Sequence, residues 1–490
     1  MKTNTVISVF SALFAAGAAV ATPAVSNVSF SHDPAERTVI VNYDLSESAI
    51  VTVDVKTNGV SIGSTGLQAT CGDVNRIVEA GTGKTVCWYA ERGWPDRRLE
   101  AGTVTVDVKA WATNAPPKYM AVDLTGTNGV EVGHRFYCDD LDVTNRIYKT
   151  DYLVFRYIPA KDVVFPMGKW WSDYWADNTY PVVSKYPFHR VKLTNDFYMA
   201  VYEFTAGQFR NIVAATNDTA FTEVAHSYDG WALCVGSAPL HENPVIPVDA
   251  LRYDYFRGLG KFWPDNGHES LSSDQTTPTI LGRMRSVLGL PNLDLPTEAE
   301  WEFACRSGTS DDRYDGSDVS VAAGPDLIAW TQNNASDRRP REVGLLKPNQ
   351  FGLYDMLGNV SEWCLDYFTT NRCVVSYTEG NDFAAPLVPR NCGATANTPE
   401  QLAAAYLVAC ANTSLMVTAP QGPNNDAAGT SGSAEAERVI KGGDVNSIGG
   451  GYGNNSARYT VSYWREGIKM NNITYSSGVA GFGYRLVFVP

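Results

Sequence analysis

One stretch decides the fold of the second half of this 490-residue chain: Pro348-Asn349-Gln350-Phe351-Gly352-Leu353-Tyr354-Asp355-Met356-Leu357-Gly358-Asn359-Val360-Ser361-Glu362-Trp363. Apolar and aromatic residues surround a Gly358-Asn359 corner, and Asp355 and Glu362 place carboxylates on either side of it. Glycine and asparagine tolerate positive φ, so the chain can reverse here and turn backbone carbonyls inward. We therefore predict an irregular, turn-built segment that is neither helix nor strand.

The corner also gathers hard oxygen donors. Backbone carbonyls, the Asn359 amide oxygen and the Glu362 carboxylate are the kind of ligand that Ca²⁺ selects. The segment lacks the spaced acidic residues of an EF-hand loop, however. The residue pattern by itself therefore favours an ordinary turn with a capping asparagine and a solvated glutamate over a metal site.

The whole stretch resembles the signature of the formylglycine-generating enzyme (sulfatase-modifying factor) family. Two more blocks similar to that family, Asp196–Thr205 and Leu295–Ala304, follow in the expected order, and the resemblance covers 151–490. It implies an α+β fold with little regular structure, related to C-type lectins and carrying calcium.

On the family pattern, three consecutive positions match the calcium-contacting segment residue by residue. The resemblance implies that the Asn359 and Glu362 side chains and the Val360 carbonyl are ligands. A second calcium site of the family has no assigned position in this sequence.

The family's oxidase chemistry depends on two cysteines that bind copper after an Arg-Gly-Gly-Ser block, and here that pair is missing. The matching block departs from the pattern at Lys441 and Asp444. The two positions fall on Ser447 and Tyr452, or near Val445 and Gly450 when counted back from Ala457-Arg458; the chain has no cysteine after Cys410. Soft thiolates suit Cu(I) and a hydroxyl does not replace them, so copper is not expected and no catalytic residue is predicted.

A small, polar, glycine-rich loop stands where the cysteines would be. Tyr452 can stack on a sugar or peptide, and Asn454 and Asn455 can hydrogen-bond it, so the loop is a candidate ligand-binding segment. A filler turn explains the same composition equally well.

Two functions remain open. The missing cysteines favour a non-oxidase binding or accessory scaffold for a glycan or peptide, which makes the chain a pseudoenzyme candidate. The alternative is an oxidoreductase of the formylglycine-generating or related non-haem iron type. Whether the chain is an enzyme is left open at this point.

Composition narrows the partners and the compartment. The 53 acidic against 39 basic residues give a net charge of −14, which repels nucleic acid and anionic membranes. Lys2, the apolar run 6–20 and the small residues Ala19-Val20-Ala21 predict a signal peptide over 1–21. No later apolar stretch is long enough to span a membrane. We therefore expect an exported protein, periplasmic, cell-surface or secreted.

The N-terminal part shows β alternation. Val51, Val53 and Val55 alternate with polar residues, Asn58-Gly59 signals a hairpin, and a second alternating run follows over 103–108. These features predict an antiparallel β-sandwich of the immunoglobulin or fibronectin kind over 22–113, a linker over 114–150 and the mixed domain over 151–490, with an elaborated loop at 366–436.

The phosphate-loop-like Gly81-Thr82-Gly83-Lys84-Thr85 enters a β-rich run, so nucleotide binding is rejected. Of the nine cysteines, Cys71 and Cys87 are the expected pair, both lying in the small domain.

Two helix starts are clearly signalled. Thr205 with Gln208, and Thr297 with Glu300, have the spacing of a capping box. The second helix is expected to bury Trp301, Ala304 and Cys305 and to stop at Gly308.

Overall fold

The computed structural model describes most of the chain as a mixed α and β protein made mostly of sheets. The described residues are 22–33, 35–63, 67, 69–94, 97, 102–127, 131–168, 189–216, 243–249, 252–258, 279–317, 324–368, 416–418, 437–445, 460–462, 465–469 and 482–490. The chain divides into two compact units, Met1–Gly63 with Thr70–Pro116 and Ser64–Ala69 with Pro117–Pro490. Among the described residues no helix has the length and apolar character needed to cross a membrane.

The first unit consists of two antiparallel sheets. One has the order β1-β2-β7-β5, and in the other β3 pairs with β4, β6 and β8. The strands are β1 (Val25–Asp33), β2 (Thr38–Leu45), β3 (Ala49–Thr57), β4 (Val60–Ser61), β5 (Thr70–Gly72), β6 (Ile77–Val78), β7 (Gly81–Tyr89) and β8 (Val104–Trp111), with a short helix α1 (Ala90–Gly93) after β7. The N-terminal region is thus β-rich as predicted, whereas its immunoglobulin or fibronectin type stays a prediction.

Local sequence explains this unit. Asn58 and Gly59 both take positive φ between β3 and β4, which confirms the predicted hairpin. Val51, Val53 and Val55 are buried in β3, and their polar neighbours Thr52, Asp54 and Lys56 are less buried. The segment rejected as a phosphate loop begins β7, which agrees with that rejection.

The second unit is built on a six-stranded sheet of order β10-β9-β11-β14-β23-β15. Smaller sheets have the orders β12-β13-β19, β16-β17 and β21-β20-β18-β22. The strands are β9 (Tyr119–Asp123), β10 (Arg135–Cys138), β11 (Tyr152–Ile158), β12 (Val164–Met167), β13 (His189–Lys192), β14 (Phe197–Ala200), β15 (Leu293–Asp294), β16 (Ala329–Trp330), β17 (Leu357–Gly358), β18 (Ser361–Tyr367), β19 (Met416–Thr418), β20 (Glu437–Lys441), β21 (Glu466–Lys469), β22 (Phe482–Gly483) and β23 (Val487–Phe488).

The helices of the described second unit are short and pack against these sheets. They are α2 (Ala206–Thr216), α3 (Tyr253–Phe256), α4 (Ile280–Leu288) and α5 (Glu298–Arg306), with 3₁₀ turns at Arg146–Lys149 and Gly324–Leu327. The reciprocal capping bonds are present at Thr205 with Gln208 and at Thr297 with Glu300, as predicted. Trp301, Ala304 and Cys305 are fully buried, but α5 ends at Arg306 because Ser307 already takes the left-handed conformation.

The structure differs from the sequence interpretation in two further places. Part of the predicted linker 114–150 forms β9 and β10, which extend the six-stranded sheet beyond β11. The corner was predicted to be neither helix nor strand, yet β17 and β18 flank Asn359, each with strand partners. The prediction erred because the pairing partners of such short strands lie far away in the sequence.

Candidate functional site

The Gly358-Asn359 corner reverses between β17 and β18 with φ values of 80° and 59°, as the residue types predicted. Gly358 is required for a second reason, since a Cβ there would lie 2.4 Å from the Trp330 carbonyl oxygen. The amide of Gly358 donates to the Gly442 carbonyl, and the amide of Val445 donates to the Asn359 carbonyl. The corner therefore packs against the Lys441–Asp444 block, which stands where the family pattern has Arg-Gly-Gly-Ser.

Glu362 is held by a buried guanidinium. Arg485 donates from Nε to both Glu362 oxygens at 3.0 Å and from Nη2 to Oε1 at 2.7 Å. The indole of Trp301 donates to Oε2 at 2.6 Å. Such charge-assisted, two-pronged bonds are the strong kind, so the negative charge of Glu362 is balanced within the protein.

Arg485 also binds backbone carbonyls around the corner. It donates to the carbonyls of Ala200, Val201 and Tyr354 at 2.8 to 3.1 Å. Burial works against its charge, but the neighbouring carboxylates, Glu362 foremost, raise the pKa of Arg485. One side chain thus joins the end of β14 to the segment that leads into β17.

Glu203 is a second buried carboxyl group at the corner. It accepts from Asn359 Nδ2 at 2.6 Å and from the Val360 amide at 3.1 Å. Burial first, and then the charges of Asp355 and Glu362, raise the pKa of Glu203 well above its ordinary value. The sequence did not identify Glu203 as a site residue, although it belongs to the block Asp196–Thr205 that carried the family resemblance.

Asp355 is the third carboxyl group, and it is 2% exposed. Its Oδ2 accepts from the Gly344 amide at 2.6 Å, while Oδ1 has no hydrogen-bond partner. Burial raises the pKa of Asp355 to about 6. Three carboxyl groups, Glu203, Asp355 and Glu362, lie in the field of Arg485, and Lys149 adds a second positive charge near Asp355. The carboxyl groups still outnumber these cations, which leaves negative charge to be met by protons or a further cation.

These contacts bear on the predicted calcium ligands. The Asn359 amide oxygen already accepts from the Arg341 amide at 2.8 Å, so that side chain is oriented toward protein donors. The oxygen without a partner is Asp355 Oδ1, a hard donor of the type that calcium prefers. Within the described part of the chain, no three His, Cys, Asp or Glu side chains are arranged as a metal centre. The donor chemistry thus fits a hard cation at Asp355 better than at Asn359, and calcium binding stays a prediction.

The Lys441–Asp444 block is built of buried charges. Lys441 is fully buried, lies 3.0 Å from Glu302 Oε2, and its ammonium lies 5.4 Å from the centre of the Trp301 ring. Glu302 also accepts from Arg306 and from the Gly168 amide. Of the residues onto which the copper-cysteine positions were counted, Val445 is buried at the end of this block. Here the block is a packed ion-pair network.

Two cysteines of the described second unit lie near this network. Cys305 and Cys364 are both buried free thiols. Desolvation by burial raises the pKa of each, so both remain protonated thiols at neutral pH. Copper binding requires thiolates, and these two residues are poor candidates for it.

The predicted ligand loop lies outside the described residues. Ser447, Gly450, Tyr452, Asn454 and Asn455 all fall there, as do the signal segment 1–21 and nearly all of the insertion 366–436. Their assignments stay predictions.

Comparison with known proteins identifies relatives of this chain. The family model for the sulfatase-modifying factor enzyme 1-like domain matches residues 159–444, more than half of the 490 residues. The chaperone protein LppX of Paenibacillus barcinonensis is 30% identical over 208 residues, 38% of this chain and 66% of that protein. The formylglycine-generating enzyme of Streptomyces coelicolor is 28% identical over 207 residues, 39% of this chain and 63% of that protein.

The match thus spans about two thirds of the length of these curated relatives. Among solved structures, Treponema denticola variable protein 1 aligns over 69% of this chain and 96% of that one, with 20% identity and a TM-score of 0.37.

Proposed function

Since this chain belongs to the sulfatase-modifying factor enzyme 1-like domain family, we propose that it is an exported, non-oxidase binding or accessory scaffold for a glycan or peptide. The observation that carries this proposal is the loss of the cysteine pair. The sequence has no cysteine after Cys410, and the block that should precede the pair ends in Lys441, Gly442, Gly443 and Asp444.

The chemistry around that block supports the proposal. A copper site of paired thiolates needs soft, ionised sulfur. Lys441 instead balances the buried charge of Glu302, and burial keeps Cys305 and Cys364 in their thiol form. The side chains next to the corner are thus committed to ion pairs and core packing, which suits a scaffold.

A non-oxidase role also agrees with one relative. The chaperone protein LppX bears a name that describes assistance to another protein. On this proposal the loop with Tyr452, Asn454 and Asn455 binds the ligand, with the tyrosine ring stacking on a sugar or peptide group and the amides hydrogen-bonding it.

We also propose one structural calcium ion at the corner. Asp355 Oδ1 and the Val360 carbonyl would hold it, beside the Glu362 carboxylate that Arg485 and Trp301 already bind, because Asp355 Oδ1 lacks a protein partner and burial raises the pKa values of Asp355 and Glu203. When bound, the ion would supply positive charge that stabilises the buried carboxylates. The protein's own contribution is to position those oxygens through Arg485, Trp301 and Gly344.

The function is tested by an activity assay with a positive control. The purified chain is incubated with Cu(I), oxygen and a sulfatase-type cysteine peptide, beside the Streptomyces coelicolor formylglycine-generating enzyme. We expect aldehyde formation, measured by peptide mass, only in the control. Aldehyde formed by this chain would overturn the scaffold proposal and establish the oxidoreductase alternative, which the relationship to formylglycine-generating enzymes favours.

Binding is tested on arrays of oligosaccharides and of peptides. For a captured probe, Tyr452→Ala should weaken binding by about tenfold, corresponding to ~1.4 kcal/mol, because the ring is lost. Tyr452→Phe, the matched control, keeps the ring and should retain most of the affinity. Equal affinity of the wild type and Tyr452→Ala would remove this loop from the proposal.

A further inference from the structure

Two cysteines of the first unit face each other across neighbouring strands. Cys71 of β5 is directly opposite Cys87 of β7 in the antiparallel register, between the pairs Thr70 with Trp88 and Gly72 with Val86. Directly opposed residues of an antiparallel pair have Cα atoms about 4.5 to 5.5 Å apart. That distance lies within the range of about 4.4 to 6.8 Å that a disulfide spans.

The two thiols lie on the outer face of the sheet. Thr70 and Trp88, the adjacent pair, are 2% and 0% exposed and point into the core. Because side chains alternate across a strand, Cys71 and Cys87 point the other way. Cys71 is exposed, Cys87 is partly buried, and both carry free thiols in this structure.

The surroundings of the thiols favour contact between them. The Sγ of Cys71 lies 3.8 Å from the Tyr89 hydroxyl. Burial foremost, and then the adjacent Cys71 thiol, raise the pKa of Cys87. In such an arrangement the exposed thiol, as its thiolate, attacks the disulfide oxidant, and the less accessible thiol then resolves the mixed disulfide.

We propose that Cys71 and Cys87 form a reversible disulfide site across β5 and β7. The oxidant is a disulfide of low molecular weight, with oxidised glutathione as the probe. The Cys71 thiolate attacks one glutathione sulfur and releases one reduced glutathione. Cys87 then attacks the mixed disulfide, releases the second glutathione, and closes the protein S–S bond. The two cysteines lose two protons and two electrons, and one glutathione disulfide is reduced to two thiols.

The closed form ties the short strand β5 to the central part of β7. Of the described sheet, β5 is an edge strand paired only with β7. A crosslink there restricts the unfolded chain between the two cysteines, which stabilises the folded first unit. Oxidation therefore holds the edge strand β5 covalently against β7.

Peptide mapping of the purified full chain tests the proposal. The chain is equilibrated with oxidised glutathione, blocked with iodoacetamide and digested with trypsin, which cleaves after Arg76 and Lys84 between the two cysteines. We expect peptides 57–76 and 85–92 to appear joined, and to separate after dithiothreitol treatment. Separately alkylated peptides under oxidising conditions, or Cys71 joined mainly to another cysteine, would overturn the proposal.

Variants provide the matched comparison. Oxidation should raise the melting temperature of the wild type, because the crosslink stabilises the folded first unit. In Cys71→Ser, Cys87 should be recovered alkylated or as its glutathione mixed disulfide and not joined to peptide 57–76, and that rise should be lost. Cys138→Ser, which changes a partly buried cysteine of the second unit, should leave both the joined peptides and that rise unchanged. Because the wild-type mapping needs no variant, misfolding of Cys71→Ser would leave the central test intact.

Discussion

The ion pairs of the first unit lie in solvent, whereas those at the corner of the second unit lie in the core. Arg37 and Glu91 are 37% and 66% exposed, while Arg485 and Glu362 are 0% and 1% exposed. An exposed pair is screened by water and contributes little. A buried pair leaves an uncompensated charge when one partner is removed. The regular sheets of the first unit are therefore stabilised by apolar alternation, and the short-stranded corner by charge.

Removing the guanidinium should have the largest effect. Arg485→Met leaves Glu362 without its cation and removes one hydrogen bond from each of three carbonyls, so we expect a loss of about 3–5 kcal/mol in unfolding free energy. Denaturant unfolding of the second unit measures it. The double variant Arg485→Met with Glu362→Gln should recover part of the loss, since the orphaned charge is gone. A loss below about 1 kcal/mol would erase the contrast between the two units.

Calcium removal should have the second largest effect on stability, and we expect it to affect the second unit and not the first. With calcium at a hundredfold excess over its dissociation constant, chelation should cost about 2.7 kcal/mol. Differential scanning calorimetry should show the second unit melting lower in chelator and recovering with calcium but not with magnesium, which demands stricter geometry. Asp355→Asn, whose residue type also tolerates positive φ, should no longer respond. If chelator left the melting temperature of the wild type unchanged, the protein's own groups would be neutralising the carboxyl groups at the corner without calcium.

Glu300 provides a smaller, pH-dependent effect. Burial foremost raises its pKa from 4.5 to about 7, so the folded state favours the protonated carboxyl group. Its stabilisation is fully present below pH 4.5 and is lost as the pH rises through about 7. Glu300→Gln keeps the capping oxygen without the charge. Between pH 5 and pH 8, the unfolding free energy of the wild type should fall by on the order of 1 kcal/mol relative to that of this variant. The effect is no larger because the side chain is only partly buried and water screens its charge. Parallel stability curves for the two proteins would contradict this.

The surface pair should show the smallest effect. Glu91→Gln removes the charge that faces Arg37, and we expect unfolding of the first unit to change by less than about 0.5 kcal/mol. The change should vanish in high salt, where exposed charges are screened. A loss as large as that of Arg485→Met would remove the distinction between exposed and buried pairs.

Much of the fold could be predicted because its signals are local. The Asn58-Gly59 hairpin and the two capping boxes depend on residues within a few positions of one another, and each is present. The Gly358-Asn359 corner could be predicted for the same reason. The short strand β17 could not, because its partner β16 begins 28 residues earlier, at Ala329 opposite Leu357, and carries no pattern of its own.

The site could be predicted only in part. Glu362 and Asp355 were visible as carboxylates flanking the corner, but their charge partners were not. Arg485 is 123 residues from Glu362, and Glu203 is 156 residues from Asn359. Residue type gives no information on which cation meets which carboxylate over such distances. The assignment of Asn359 as a ligand rested on its amide oxygen, whose backbone partner Arg341 only the structure reveals.

The position of β23 has a consequence for how the second unit folds. This strand lies between β14 and β15, which come much earlier in the chain, and so joins the edge strand β15 to the rest of the six-stranded sheet. Contacts between segments so far apart in sequence require large loops to close, which slows folding. Until β23 arrives, β14 and β15 each present an unpaired edge to other chains. Partly folded chains in which β23 has not yet docked are therefore the ones most prone to aggregate.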